Sequence, residues 1–225
     1  MAPESASPRN GAQRRLKILV SSTVYGYEEL LESLYALLDS FGYDVLMSHK
    51  GTVPVDPHLT AMDNCLDAVD ACDVFLGIIL PRYGSGKETP GGLSITHREA
   101  LKAITLNKPR WFLVHEHVAV ARQLLLPYRD KSARGRFKIK SGLKFCETHV
   151  LSDLRVLDLY EAAMRHDVAA VADRKGNWVQ VYASDDDARL FATAQFRRYR
   201  ELAERYLPRL ADIDAVRARV SGGAR

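Results

Sequence analysis

The sequence predicts a Rossmann-like, three-layer α/β/α fold with a mainly parallel sheet and a helical C-terminal extension. Three observations predict it. From residue 16 to 115, short apolar runs alternate with amphipathic helical patterns in the order β-α-β-α-β-α-β. Such alternation implies parallel strands joined by crossover helices packed on both faces. One run, Asp73 to Leu80, is almost unbroken in its apolar character, as a central strand covered on both sides must be. Polar or glycine-rich loops follow the strands, and sheets of this kind bind ligands beyond their carboxyl ends.

The elements read as follows. Residues 1–14, rich in Pro, Ser and Ala, predict a disordered lead-in. Leu16 to Val20 is a buried strand running into the polar turn Ser21-Ser22-Thr23. Leu30, Leu34, Leu37, Leu38 and Phe41 recur at helical spacing over 26–41, and Gly42 stands where a glycine stops a helix. Tyr43 to Met47 is a second strand. Asp56-Pro57 reads as a helix start, an N-cap aspartate before a proline at the first helical position, with the helix running to Ala71. The apolar strand to Leu80 then opens into Pro81 to Gly92. At about a dozen residues this Gly/Pro-rich loop exceeds the usual ~2–6 of a strand-to-helix connection, which marks it as a candidate functional loop. A helix over about 96–107 and a fourth strand, Pro109 to Val114, complete a core over 15–115. Residues 116–208 form an extension that completes or packs on this core. It holds helices at 116–127 and 152–165, a strand from Gly176 to Tyr182, and a long helix from Ser184 to Pro208 with three acids in its first turn. Residues 209–225 read as a flexible tail.

Composition narrows the function classes. The 225 residues are 47% hydrophobic and 27% charged, ordinary for a globular protein. The net charge of +4 lies partly in the terminal segments, so it gives no nucleic-acid signature. The strongly basic stretch, 129–144, reads as a solvated, mobile insertion or as a phosphate contact. Neither an apolar leader nor a membrane-length apolar run is present. Three cysteines, Cys65, Cys72 and Cys146, without a CxxC pair, suggest buried thiols in a reducing, cytoplasmic compartment.

The chemistry-bearing candidates cluster at the strand ends. No GxGxxG follows the first strand and no GxxxxGK[ST] occurs, which argues against the standard dinucleotide and P-loop modes. No HExxH or Cys/His cluster suggests a metal, and no nucleophile elbow is present. Ser21, Ser22 and Thr23 offer hydroxyls and N–H groups before a helix N-terminus, as a ligand contact or as a simple cap. Arg82 can pair with a phosphate or carboxylate, and Tyr83 can stack on a base or pack. Asp73, beginning the central strand, is either structural or part of the site. Glu99 follows the long loop at the start of a helix that faces the strand ends. A carboxylate there can bind sugar hydroxyls, or stabilise or trap an oxocarbenium at an anomeric carbon. Equally, Thr96-x-x-Glu99 has the spacing of a capping box, which would occupy Glu99 structurally.

In order and spacing, several segments resemble one family: Ile18 to Thr23, Cys65-Leu66, Cys72 to Ile78, Arg82 to Ser85, Ser94 to Thr96 with Glu99-Ala100, and Asn107 to Pro109. The chain resembles the domain-of-unknown-function family numbered 4062, itself similar to TIR domains and nucleoside deoxyribosyltransferases. Gly176 to Gln180 resembles that family's C-terminal extension. The resemblance implies a flavodoxin-like sheet. It also implies cleavage or exchange of an N-glycosidic bond by a glutamate at the position of Glu99, on NAD or another nucleotide or nucleoside, with no separate cofactor. Ser21, Ser22, Thr23, Arg82, Tyr83, Gly84 and Asp73 would then be the substrate-binding set. The chain lacks the tryptophan–cysteine run that precedes the glutamate in catalytic TIR domains. The alternative implied by the same family is a non-catalytic sensor or recruiting domain in signalling or antiviral defence. Such a domain would assemble as a homo-oligomer or recruit a separate effector protein.

Overall fold

A computed structural model describes residues 14–86, 92–130, 137–165, 173–174, 176–199 and 201–206. Its strands are β1 (Lys17–Ser22), β2 (Asp44–Leu46), β3 (Val74–Ile79), β4 (Arg110–His115) and β5 (Asn177–Tyr182). They form one parallel sheet in the order β2-β1-β3-β4-β5. This is the flavodoxin-like order of a doubly wound sheet. Between the strands run α1 (Glu28–Ser40), α2 (Ala61–Ala71), α3 (Ile95–Thr105), α4 (Glu116–Leu125), α5 (Arg155–Met164) and α6 (Asp185–Phe196). No helix among the described residues is long and apolar enough to cross a membrane.

The two-residue period of the strands divides the core. On β1, Ile18 and Val20 join Leu30, Leu34 and Leu38 of α1 and Ala188, Ala192 and Phe196 of α6. Leu19 faces the other way, into a core built with Ala68 and Val69 of α2, Ala100 and Ala103 of α3, Val118 of α4, and Val156 and Leu157 of α5. β3 is buried at every position, as its apolar run requires. Its Gly77 sits beside Ser21 in register, and the ring of Phe112 on β4 occupies the space a side chain would fill.

Several boundaries differ from those the sequence predicts. The helix expected at Asp56-Pro57 begins at Ala61: Thr60 is its cap, accepting the Asp63 N–H. Asp56 instead accepts the His58 N–H in a local turn, so the Asp-Pro signal marks a turn before the helix. The helix expected over 184–208 ends at Phe196. Residues 197–198 break it before a second helical stretch at 201–206. The Ser184 cap and its capping-box partner Asp187 fix the start where the acids suggest. Arg14, at the end of the expected disordered lead-in, is tied to Asp73. Residues 1–13, 131–136 and the tail 209–225 lie outside the described residues. Within the basic stretch, Arg129 is held: it pairs with Glu161 at 3.3 Å, stacks over Phe137 and forms a bridge with Ile139. Cys72 is buried as expected, whereas Cys65 is half-buried and Cys146 exposed.

Candidate functional site

The strand order reverses at β1, with β2 on one side and β3 on the other, and this is where a doubly wound sheet opens a ligand crevice. A cleft of about 750 Å³ lies at this point, beyond the carboxyl ends of β1 and β3. Thr23, Tyr25, Gly26 and Tyr27 line it from the loop after β1, and Arg82 to Ser85 from the loop after β3. The two loops are joined by the Thr23 hydroxyl, which donates to the Arg82 carbonyl at 3.1 Å. Gly84 makes this closeness possible: its φ is +85°, and a Cβ there would meet Thr23 Oγ1 at 2.9 Å. The far wall comes from Glu147, His149, Ser152 and Asp153. Arg82 reaches across to Glu147 at 3.6 Å, with both side chains largely in solvent.

Glu99 lies beside this cleft rather than in its wall. It is 6% exposed, on the face of α3 turned toward β1, and Ser21 Oγ donates to its Oε2 at 2.5 Å. Burial pushes the carboxyl up to about 7; the Ser21 hydrogen bond opposes the shift without cancelling it. Near neutral pH the group is therefore divided between acid and carboxylate, the range in which a side chain can exchange a proton or stabilise a developing cation. The capping-box reading of Glu99 is wrong. The cap of α3 is Ser94, which accepts the His97 N–H, so Thr96 is already inside the helix and Glu99 lies beyond the capping turn. With its backbone duty removed, the side chain is committed to Ser21.

The predicted site residues thus fall into separate places. Thr23, Arg82, Tyr83 and Gly84 meet at the cleft, and Ser21 and Glu99 form a buried pair beside it. Ser22 points to the opposite face of the sheet and donates to the Thr23 carbonyl at 2.8 Å. Tyr83 packs rather than standing free: it is 5% exposed, with its hydroxyl 2.9 Å from His97 Nδ1. Asp73 does not belong to the site. It precedes β3 at the amino end of the sheet, where it accepts the Lys17 N–H at 2.8 Å and pairs with Arg14. The strand-end rule covers Ser21 to Tyr25 but gave Tyr25 no role of its own, and it stops short of Tyr27. Sequence reasoning also missed the 147–153 segment, which begins 55 residues beyond the end of the 81–92 loop and carries no local signal. Among the described residues, no group of three or more His, Cys, Asp or Glu is placed to hold a metal.

The family model described as "Domain of unknown function (DUF4062)" matches residues 17–165, from β1 to the end of α5. The chain belongs to the DUF4062 family. No curated protein matches it. Among solved structures, it is similar to the CMP N-glycosidase BcmB of Clostridium botulinum, at 13% identity and a TM-score of 0.40. The alignment covers 79% of this chain and 98% of that one.

Proposed function

We propose that this DUF4062 chain is an N-glycosidase acting on a nucleotide or nucleoside, NAD included, with Glu99 as its catalytic carboxylate. The observation that carries the reading is Glu99 itself: a buried carboxyl at the ligand-binding edge of a doubly wound sheet, oriented by Ser21 and shifted up to about 7. In this reading the bond between the anomeric carbon and the base nitrogen breaks with its electrons leaving on the base. The ionised Glu99 stabilises or traps the sugar cation, and water then delivers hydroxide to the anomeric carbon; the proton left over goes to the base where it departs as an anion, and to solvent where a pyridinium such as that of NAD departs as a neutral base. Arg82, Gly84 and Thr23 bind the remainder of the molecule, and the chemistry requires no cofactor. Because Glu99 is not in the cleft wall, substrate binding has to open a path to it.

The same burial favours a second reading, a non-catalytic nucleotide-binding or recruiting domain in which the Ser21–Glu99 bond only ties α3 to β1. Incubating wild-type and Glu99→Gln protein with NAD and a panel of nucleotides and nucleosides, with free base measured by chromatography, separates the two. Base release by the wild type that vanishes in Glu99→Gln is the expected result. Equal release by both removes Glu99 from the chemistry. No release by the wild type, even at concentrations that drive self-assembly, favours the binding domain.

A further inference from the structure

Contacts from three elements converge on Tyr83. Its hydroxyl accepts the Ser94 N–H at 3.3 Å and lies 2.9 Å from Nδ1 of His97. The Tyr83 hydroxyl and His97 Nδ1 share one hydrogen bond, whose direction follows the imidazole tautomer. Burial and the nearby Arg155 charge hold His97 down at about 4, so its ring is neutral around neutral pH. On its other side Tyr83 is held by α5 and the turn before it. Its N–H donates to Ser152 Oγ at 2.9 Å, and the Arg155 guanidinium lies 4.5 Å from its ring centre. Arg155 also donates to the Gly92 carbonyl at 2.6 Å, so one side chain of α5 holds both the start and the end of the 81–92 loop. His97 and Glu99 are two residues apart on α3 and point to different sides, one to Tyr83 and the other to Ser21.

We infer that Tyr83 and His97 are positioning residues for Glu99: they fix the first turn of α3 against the loop after β3, and so hold the carboxylate on Ser21 and away from water. The catalytic use of Glu99 rests on the proposed glycosidase reading, whereas the placement of its side chain does not. A strut of this kind has leverage because a displacement of about 1 Å at a reacting group can cost roughly a hundredfold in rate.

The test compares Tyr83→Phe, His97→Phe and His97→Asn in the full chain. Tyr83→Phe keeps the ring under Arg155 and removes the hydroxyl. His97→Phe removes the hydrogen-bond partner of the hydroxyl, and the amide of His97→Asn, which carries both a donor and an acceptor, restores one. Two readouts are taken: the titration midpoint of the Glu99 carboxyl by carbon NMR, and kcat against KM for base release. In Tyr83→Phe and His97→Phe the midpoint is expected to fall from about 7 toward the ordinary 4.5 as water reaches the carboxyl. In the same variants kcat is expected to drop roughly tenfold to a hundredfold with KM little changed. His97→Asn is expected to retain the wild-type midpoint. An unchanged midpoint in both phenylalanine variants overturns the inference; should Tyr83→Phe not fold, the two His97 variants decide it alone. A midpoint that moves as expected in a wild type releasing no base supports the strut and defeats the glycosidase.

Discussion

Glu99 is held in a place that ordinary carboxylates avoid, and the cost of that placement is measurable. An ionised carboxylate loses solvation on burial, and one hydroxyl donor does not restore it. Its proton is therefore bound more tightly in the folded chain, with a midpoint of about 7 against an ordinary 4.5. Between those two pH values the folded state holds more protons than the unfolded state, so stability falls as pH rises. The contribution is fully present below about 4.5 and is lost as pH climbs through about 7. At 1.36 kcal/mol per pKa unit the total is on the order of 3 kcal/mol. His97 acts in the opposite sense: its midpoint is depressed from 6.5 to about 4, so its contribution grows as pH rises over that range. A wild-type melting curve mixes the two, but Glu99→Gln keeps His97 and removes only the carboxyl. The expected result is that Glu99→Gln gains stability relative to wild type between pH 4 and pH 8, read as the difference in denaturant midpoints. A pH-independent difference would mean that Glu99 is not buried as described.

At the scale of elements, the site depends on how closely α3 can approach the sheet. Gly77 governs this. It lies beside Ser21 on the face that α3 covers, and a Cβ there would stand 2.6 Å from the Phe112 ring and 3.0 Å from that of Phe75. Both rings are fully buried, so Gly77→Ala forces a shift in the layer under α3. Overpacking of this kind costs about 1–3 kcal/mol. The expected outcome is a lowered thermal midpoint together with a Glu99 midpoint moved away from about 7, measured on the same protein; a wild-type midpoint for both would show that the layer accommodates a methyl group. Sequence alone places β1, α1, β3, β4 and β5 to within a residue or two, because apolar runs and the Gly42 stop, with φ at +91°, bound them sharply. Ambiguous signals are where it fails. Asp56-Pro57 carries the chemistry of both a helix start and a turn, and only the geometry of Thr60 decides. Thr96 and Glu99 have capping-box spacing, but so does any pair one turn apart inside a helix, and Ser94 had already taken the capping role. The Glu99–Ser21 pair, the Tyr83–His97 bond and the Arg155 clasp join residues 14 to 78 positions apart, a range at which local patterns carry no information.

At the scale of the whole molecule, the family match stops at residue 165, whereas the fold does not. β5 pairs with β4 along all six of its positions, from Asn177 to Tyr182. Phe196 of α6 packs on Trp111 at 5.2 Å and on Tyr43 at 5.9 Å, and the Tyr199 hydroxyl accepts the Leu16 N–H at 2.8 Å, which ties the beginning of β1 to the far end of the chain. Tyr182, Phe196 and Leu202 are all buried in the core that also holds α1. Each large apolar side chain withdrawn from such a core removes about 1.5–3 kcal/mol. A domain has only about 5–15 kcal/mol in total. Removing these three, together with the β5 ladder, therefore takes away an amount comparable to the whole stability. A fragment of residues 14–165 is expected to show no cooperative thermal transition by circular dichroism, whereas residues 14–206 melt as one unit. A cooperative melt of the shorter fragment would show that β1 to α5 fold independently, with β5 and α6 as a separable attachment. The distinction bears on the site, because β4 lies next to β3, whose loop carries Arg82, Tyr83 and Gly84. If the C-terminal elements complete the sheet, they hold that loop in place without contributing a residue to the cleft.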